Sequence, residues 1–244
     1  MNENWLVDLV PAERPGRVAY LFPHAGAGVS AVLALGRALA PDSHPVAIRL
    51  PGRESLLDEP PIADLPTLAK RLACAIRTHA GGAQIILYGH SSGGILAYET
   101  ARALEPETAI LLAVSAQQAP GTAVRTAAGC WDLPDDEFFA QVVADGYLPA
   151  ELLDAPDILE MVAPALRADY RATHEHLIRV EWTPVASPIL TIRGAEDQTV
   201  TAEDIAAWSA LTTRGHTTVL IAAGHNLLRD CPAELAEALR HALP

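Results

Sequence analysis

The sequence predicts an α/β protein: a mostly parallel sheet flanked by helices, interrupted by one helical insertion. Three observations carry this. Short, uniformly apolar runs alternate with longer helical patterns from Arg17 to about Ala116, and the alternation resumes at Pro188. Runs that are apolar at every position, rather than every second one, suit strands covered on both faces, the usual setting of parallel sheets. One such run, Gln84-Ile85-Ile86-Leu87-Tyr88, leads into Gly89-His90-Ser91-Ser92-Gly93 and then the helical stretch Ile95 to Leu104, a strand–tight turn–helix unit with serine at its apex.

Taken in order, Val18 to Phe22 reads as a strand and Ser30 to Leu39 as a helix. Val46 to Leu50 is a strand stopped by Pro51-Gly52, and Leu65 to Thr78 a helix stopped by Gly81-Gly82. The serine unit follows, then the apolar strand Ala109 to Val114. Between about Gln117 and Glu181 no strand pattern is evident; helical patterns run from Asp135 to about Ala144 and from about Asp157 to Leu177. Pro188 to Arg193 is again a strand, followed by the turn Gly194-Ala195-Glu196-Asp197 and a helix from Ala202 to Leu211. Thr217 to Ile221 is a strand followed by Gly224-His225, and Pro232 to about Leu243 is a closing helix with proline tolerated in its first turn. The expected division is a core of residues 1–116 and 182–244 with residues 117–181 as a helical lid over the C-terminal edge of the sheet.

Bulk properties narrow the class. The chain has 244 residues, half of them hydrophobic, enough for one large α/β domain with an insertion. No apolar stretch approaches the roughly 20 residues that cross a bilayer. Met1-Asn2-Glu3-Asn4-Trp5 lacks the basic and apolar regions of a secretory signal, so the expectation is a soluble cytoplasmic protein, by default a monomer. A net charge of −13 argues against nucleic acid and anionic membranes as partners. The three cysteines, Cys74, Cys130 and Cys231, have neither metal-ligand spacing nor a disulfide pattern.

The serine turn is too sharp for bulky neighbours, and it lifts the hydroxyl clear of the backbone at the C-terminal edge of the sheet. A serine hydroxyl is a poor nucleophile at neutral pH and needs a histidine oriented by a carboxylate. In sheets of this type the chain order is Ser, Asp/Glu, His. Ser91, Asp197 and His225 satisfy it, each directly after a predicted strand. Glu196 competes for the acid role. Ser92 competes as nucleophile, though its frame would put bulky His90 where the elbow has little room; His90 itself reads as a packing residue. The backbone N–H of Ser92 is one candidate oxyanion donor, and that of Ala25, in the small-residue loop Pro23-His24-Ala25-Gly26-Ala27-Gly28, is the other. That loop lacks the third glycine of a dinucleotide fingerprint.

Taken together, Phe22-Pro23-His24-Ala25-Gly26-Ala27-Gly28, Leu50-Pro51-Gly52-Arg53-Glu54, Gly89-His90-Ser91-Ser92-Gly93-Gly94, Leu166-Arg167-Ala168-Asp169-Tyr170, Gly194-Ala195-Glu196-Asp197-Gln198-Thr199-Val200 and Gly224-His225 resemble the type II thioesterases of nonribosomal peptide and polyketide synthases. The resemblance spans nearly the whole chain in order. It implies an α/β-hydrolase fold with a mobile helical lid. It also implies hydrolysis of acyl groups held as thioesters on the phosphopantetheine arm of a carrier protein, which clears stalled synthases. Ser91 would be the nucleophile, Asp197 the acid and His225 the base, with no metal or cofactor of the enzyme's own. Two departures stand out: Ser92 occupies a position often held by methionine, and Ala223-Gly224-His225-Asn226-Leu227 lacks the glycine pair or aromatic often found around the histidine.

In the insertion, Trp131, Phe138, Phe139, Tyr147, Leu148 and Met161 are candidate acyl-pocket residues, although amphipathic helices packed on a core give the same pattern. Arg53, Arg125, Arg167 and Arg171 are candidate contacts for an acidic carrier protein, with an Arg167–Asp169 ion pair as the structural alternative. A carboxylesterase, or an acyltransferase or cyclase, would share the chemistry up to the acyl-enzyme. A non-enzymatic binding protein would leave Ser91 unreactive.

Overall fold

The computed structural model describes residues 4–11, 16–40, 42–104, 109–122, 129–144, 148–178 and 181–243. Its strands are β1 (Leu6–Asp8), β2 (Arg17–Phe22), β3 (His44–Ile48), β4 (Gln84–His90), β5 (Ala109–Ser115), β6 (Ile189–Gly194) and β7 (His216–Ile221). They form one sheet in the order β1-β3-β2-β4-β5-β6-β7. Every pairing is parallel except β1 on β3, so the expected mostly parallel sheet is present. The helices are α1 (Val29–Leu39), α2 (Leu65–Ala80), α3 (Ser92–Ala103), α4 (Asp135–Ala144), α5 (Pro156–Leu177), α6 (Ala202–Ala206), α7 (Leu227–Asp230) and α8 (Pro232–Ala242).

The uniform apolarity of the strands has the expected cause. Along β2, Val18, Tyr20 and Phe22 pack into a cluster with Leu68, Leu72 and Ile76 of α2 and Ile95 and Tyr98 of α3. The alternate residues Ala19 and Leu21 pack on the opposite face against Val32 and Leu35 of α1 and Leu235 and Leu239 of α8. Successive side chains point to opposite faces, so a strand between two helical layers has no polar side to show.

Some elements differ from the sequence expectation. β1 was not expected: three residues are too few to display a period, and its pairing of Leu6 with Ile48 and Asp8 with Val46 is antiparallel at the sheet edge. α3 begins at Ser92, directly after the turn, three residues earlier than its apolar pattern indicates. The helix expected over 202–211 is α6, opened by a Thr201–Asp204 capping box, followed by a 3-10 turn over Ala207–Leu211. That tighter turn carries Trp208, fully buried, with its indole N–H donating to Gln117 O at 2.9 Å.

Between β5 and β6 the helical elements of the described residues are Cys130–Asp132, α4, Ala150–Asp154 and α5, and Val185 makes an isolated parallel bridge to Thr212. Cys130, Phe138, Phe139, Val142, Ala163, Leu166 and Tyr170 make a hydrophobic cluster of their own. α5 ties this cluster to the main body, because its later residues Ala172 and Leu177 belong to the principal core. At its end, His176 Nε2 lies 3.0 Å from Glu99 Oε1 of α3, a carboxylate also held by Arg102 at 2.7 Å.

Candidate active site

Ser91 connects β4 to α3 in a conformation few non-glycine residues adopt, with φ 52° and ψ −129°. Such backbone costs on the order of 1–3 kcal/mol and persists only where its surroundings hold it. Here the Ser91 N–H donates to Ser115 O at 2.8 Å, and Gly94 N–H closes the turn on Ser91 O at 2.7 Å. Beneath it the Ser115 hydroxyl bonds both Tyr88 Oη, at 2.7 Å, and His90 Nδ1, at 2.8 Å. The flanking glycines are required by close approach. A Cβ on Gly89 would overlap the backbone of Gly93, and a Cβ on Gly93 would overlap the carbonyls of Phe22 and Pro23. Backbone cannot swing aside as a side chain can, so Gly93→Ala is expected to destabilise the fold by about 1–3 kcal/mol, read as a lower denaturant midpoint.

Asp197 and His225 come from the loops after β6 and β7, which extend the sheet pairing beyond the strands. Ala195 N–H donates to Ile221 O at 2.7 Å and Glu196 N–H to Ala223 O at 2.9 Å. Gly194 permits this, since a Cβ there would strike the carbonyls of Ala223 and Gly224. Arg193 holds the acid loop from behind, with its guanidinium donating to Val200 O at 2.6 Å and Asp197 O at 2.9 Å.

Asp197, 3% exposed, is the carboxylate that meets the imidazole: its Oδ2 lies 2.9 Å from His225 Nδ1. Glu196 is exposed and its side chain is not the one on His225. The second oxygen, Oδ1, accepts from Thr199 N–H at 2.8 Å, Thr199 Oγ1 at 2.7 Å and Val200 N–H at 3.2 Å. Burial alone would raise the carboxyl; the bonds from His225 and Thr199 outweigh it and bring its pKa down to about 2. The Thr199 hydroxyl also lies 2.9 Å from His225 Nδ1. Sequence reasoning did not single out Thr199; a threonine two residues after an aspartate in a turn is the available signal.

His90, next to Ser91, has its ring centroid 5.6 Å from that of His225 and 5.9 Å from that of His24. Burial first, and then the neighbouring imidazoles, hold His90 well below its ordinary pKa. His24 is also lowered, chiefly by burial. Neutral imidazoles therefore surround this corner. Hydroxyl, imidazole and carboxylate supplied from three strand ends are the set that activates an alcohol toward a carbonyl carbon.

Both oxyanion candidates sit at this edge. Ser92 opens α3, where first-turn N–H groups have no intrahelical acceptor. Ala25 lies in the loop after β2, its side chain packed against the insertion's cluster. The loop is braced from two sides. Asp169 of α5 accepts Gly26 N–H at 2.8 Å and two bonds from Arg53, at 2.9 and 3.2 Å, while Arg53 also donates to Ala27 O at 3.1 Å.

A small cavity of about 30 Å³ touches Ser92 and Gly93; its lining includes Leu65 and Leu68 of α2, Leu96 of α3 and Asp169, Ala172 and Thr173 of α5. Phe138 and Phe139 are buried inside the insertion's own cluster, and Trp131 and Leu148 are half-buried against it. Met161 is 53% exposed. Tyr147 and Arg125 lie outside the described residues. Among the other arginines, Arg53 is buried against Asp169, so Asp169 does not pair with Arg167. Arg167 instead bonds Asp135 at 2.6 Å and the carbonyl of Trp131. Arg171 is exposed and paired with Glu175.

Comparison with known proteins agrees with this geometry. The family model described as thioesterase domain matches residues 19–243. Thioesterase PikA5 of Streptomyces venezuelae is 27% identical over 93% of this chain and 80% of its own length. A probable cadicidin biosynthesis thioesterase of Streptomyces griseus is 30% identical over 96% of this chain and 66% of its own. Among solved structures, the type II thioesterase BorB from the borrelidin biosynthetic cluster superposes with a TM-score of 0.86 at 28% identity, covering 100% of this chain and 99% of that one. The chain belongs to the thioesterase-domain family and is a serine hydrolase of the α/β-hydrolase fold that acts on thioesters.

Proposed function

We propose that Ser91 is the nucleophile, His225 the general base and acid, and Asp197 the residue that orients it, and that the thioester is borne by the phosphopantetheine arm of a carrier protein in a peptide or polyketide synthase. The observation that carries this reading is the buried 2.9 Å Asp197–His225 bond beside the strained Ser91 turn. The names of the relatives, drawn from biosynthetic clusters, support the carrier-bound substrate. A cytoplasmic setting and the role of residues 117–181 as a lid belong to the same reading.

The steps balance without a cofactor. Ser91 Oγ attacks the thioester carbonyl carbon as His225 Nε2 takes its proton. The N–H groups of Ser92 and Ala25 receive the developing oxyanion. The C–S bond breaks, and the pantetheine sulfur leaves with the proton from His225. Water then attacks the Ser91 ester, His225 again relaying the proton, and the carboxylic acid departs.

The cavity at Ser92 is the acyl site in this reading. It is small, at about 30 Å³, and walled mainly by apolar side chains, so short acyl groups are the expected fit. Carrier proteins loaded with acetyl, hexanoyl and aminoacyl groups should lose acetyl fastest, read by intact carrier mass; equal or faster loss of hexanoyl would contradict the assignment. Leu96→Ala, which widens the cavity, is expected to shift kcat/KM toward hexanoyl by about tenfold or more relative to acetyl.

A further inference from the structure

Two stretches distant in the chain converge on the Ala25 loop. Arg53, 6% exposed, follows β3; Asp169 and Leu166 lie one turn apart on α5; the loop itself follows β2. The peptide joining Ala25 to Gly26 is held at both ends, its N–H by Asp169 Oδ2 at 2.8 Å and its carbonyl by His24 Nδ1 at 3.1 Å. Gly26 has φ 71°, and a Cβ there would come within 2.9 Å of Leu166 Cδ1, so α5 rests directly on the loop backbone. The Ala25 side chain is packed into the same helical cluster. The Asp169, Leu166 and Ala25 packing contacts come from the insertion, and Arg53 locks Asp169 from the loop after β3.

From this we infer that Asp169, clamped by Arg53, is a positioning residue that sets the Ala25 N–H for the oxyanion and so makes turnover depend on α5 being seated. The inference rests on the proposed roles of Ser91 and Ala25. A carboxylate is suited to the task because one group must accept three N–H bonds from two directions, and the bidentate guanidinium fixes its plane. An amide at this position has a single acceptor oxygen and would turn its NH2 toward the Arg53 fork or the Gly26 N–H.

The test compares Asp169→Asn, Arg53→Lys and the double variant with the parent. The readouts are thermal melting, turnover of an acyl-pantetheine thioester, and affinity for two probes. An alkyl trifluoromethyl ketone adds Ser91 Oγ to give an oxyanion; an acyl-pantetheine amide binds without that charge. Asp169→Asn is expected to lower kcat roughly 10- to 100-fold with KM within about threefold. Ketone affinity should fall in the same proportion and amide affinity should hold. Arg53→Lys should show a smaller loss of the same kind, and the double variant should be no worse than Asp169→Asn alone. A folded Asp169→Asn with parental kcat overturns the inference, as does a loss confined to KM and matched by the amide. If Asp169→Asn does not fold, Arg53→Lys is judged on the same criteria. If Ser91→Ala also retains turnover, the proposed catalytic roles fall and this inference with them. An inert Ser91→Ala beside an unaffected Asp169→Asn overturns the positioning role alone.

Discussion

Ser91→Ala is expected to lower kcat for an acyl thioester by about 10⁴-fold or more while leaving the melting temperature within a few degrees of the parent. The loss follows from chemistry: without Oγ there is no atom to carry the acyl group, and His225 is left to act on water alone. The stability expectation follows from the backbone. Alanine faces the same positive φ as serine, and the turn is held by the Ser91 N–H to Ser115 and by the Gly94 bond, which use no side-chain atom of residue 91. Ser92→Ala is the control. Only its backbone N–H enters the proposed chemistry, so turnover within about tenfold of the parent is expected, against the hundredfold or greater loss typical of removing an oxyanion donor. A dead Ser92→Ala with an active Ser91→Ala would move the nucleophile by one position.

Asp197→Asn is expected to cost a comparable 10⁴-fold in kcat, whereas Glu196→Gln should leave turnover within about twofold. The hydrogen bonds dictate the size of the first effect. Three donors, from Thr199 N, Thr199 Oγ1 and Val200 N, converge on Oδ1, so an asparagine would place its carbonyl oxygen there and its NH2 toward His225 Nδ1. Nδ1 would then have to accept, leaving the ring proton on Nε2, the nitrogen that must accept from Ser91. The pH dependence has a defined sign. The folded carboxyl, at about 2, lies below its ordinary value of 3.8, so its contribution is present above about pH 4 and lost as pH falls toward 2. That contribution is on the order of 2 kcal/mol. The melting temperatures of parent and Asp197→Asn should therefore converge between pH 5 and pH 2, and an unchanged gap would contradict the depressed pKa.

Legibility in the sequence followed the range of the interactions. The parallel sheet was readable because each strand's burial is written in consecutive residues, as in Ile85 to Tyr88. The candidates Ser91, Asp197 and His225 were legible because each sits just past an apolar run, and of the three the Asp197–His225 pair is joined by a bond. The proposed acyl cavity was not legible. Phe138 and Phe139 lie on an amphipathic helix, and its apolar face looks the same whether it lines a pocket or closes on its own cluster. Leu65, Leu68 and Leu96 read as plain core positions, and they do belong to the main core cluster while also lining that cavity. Arg53 and Asp169 are 116 residues apart; each taken alone looks like a surface charge, and only the three-dimensional meeting of the motifs makes them a pair.

The most direct test of the account is rapid-quench intact-mass analysis of the enzyme mixed with a slowly hydrolysed acyl-pantetheine thioester, followed by peptide mapping. The account predicts a transient mass increment equal to the acyl group on the peptide containing Ser91, decaying as free acid accumulates and absent from Ser91→Ala. Turnover without any increment under conditions that slow the water step, or an increment mapped to another residue, would contradict it.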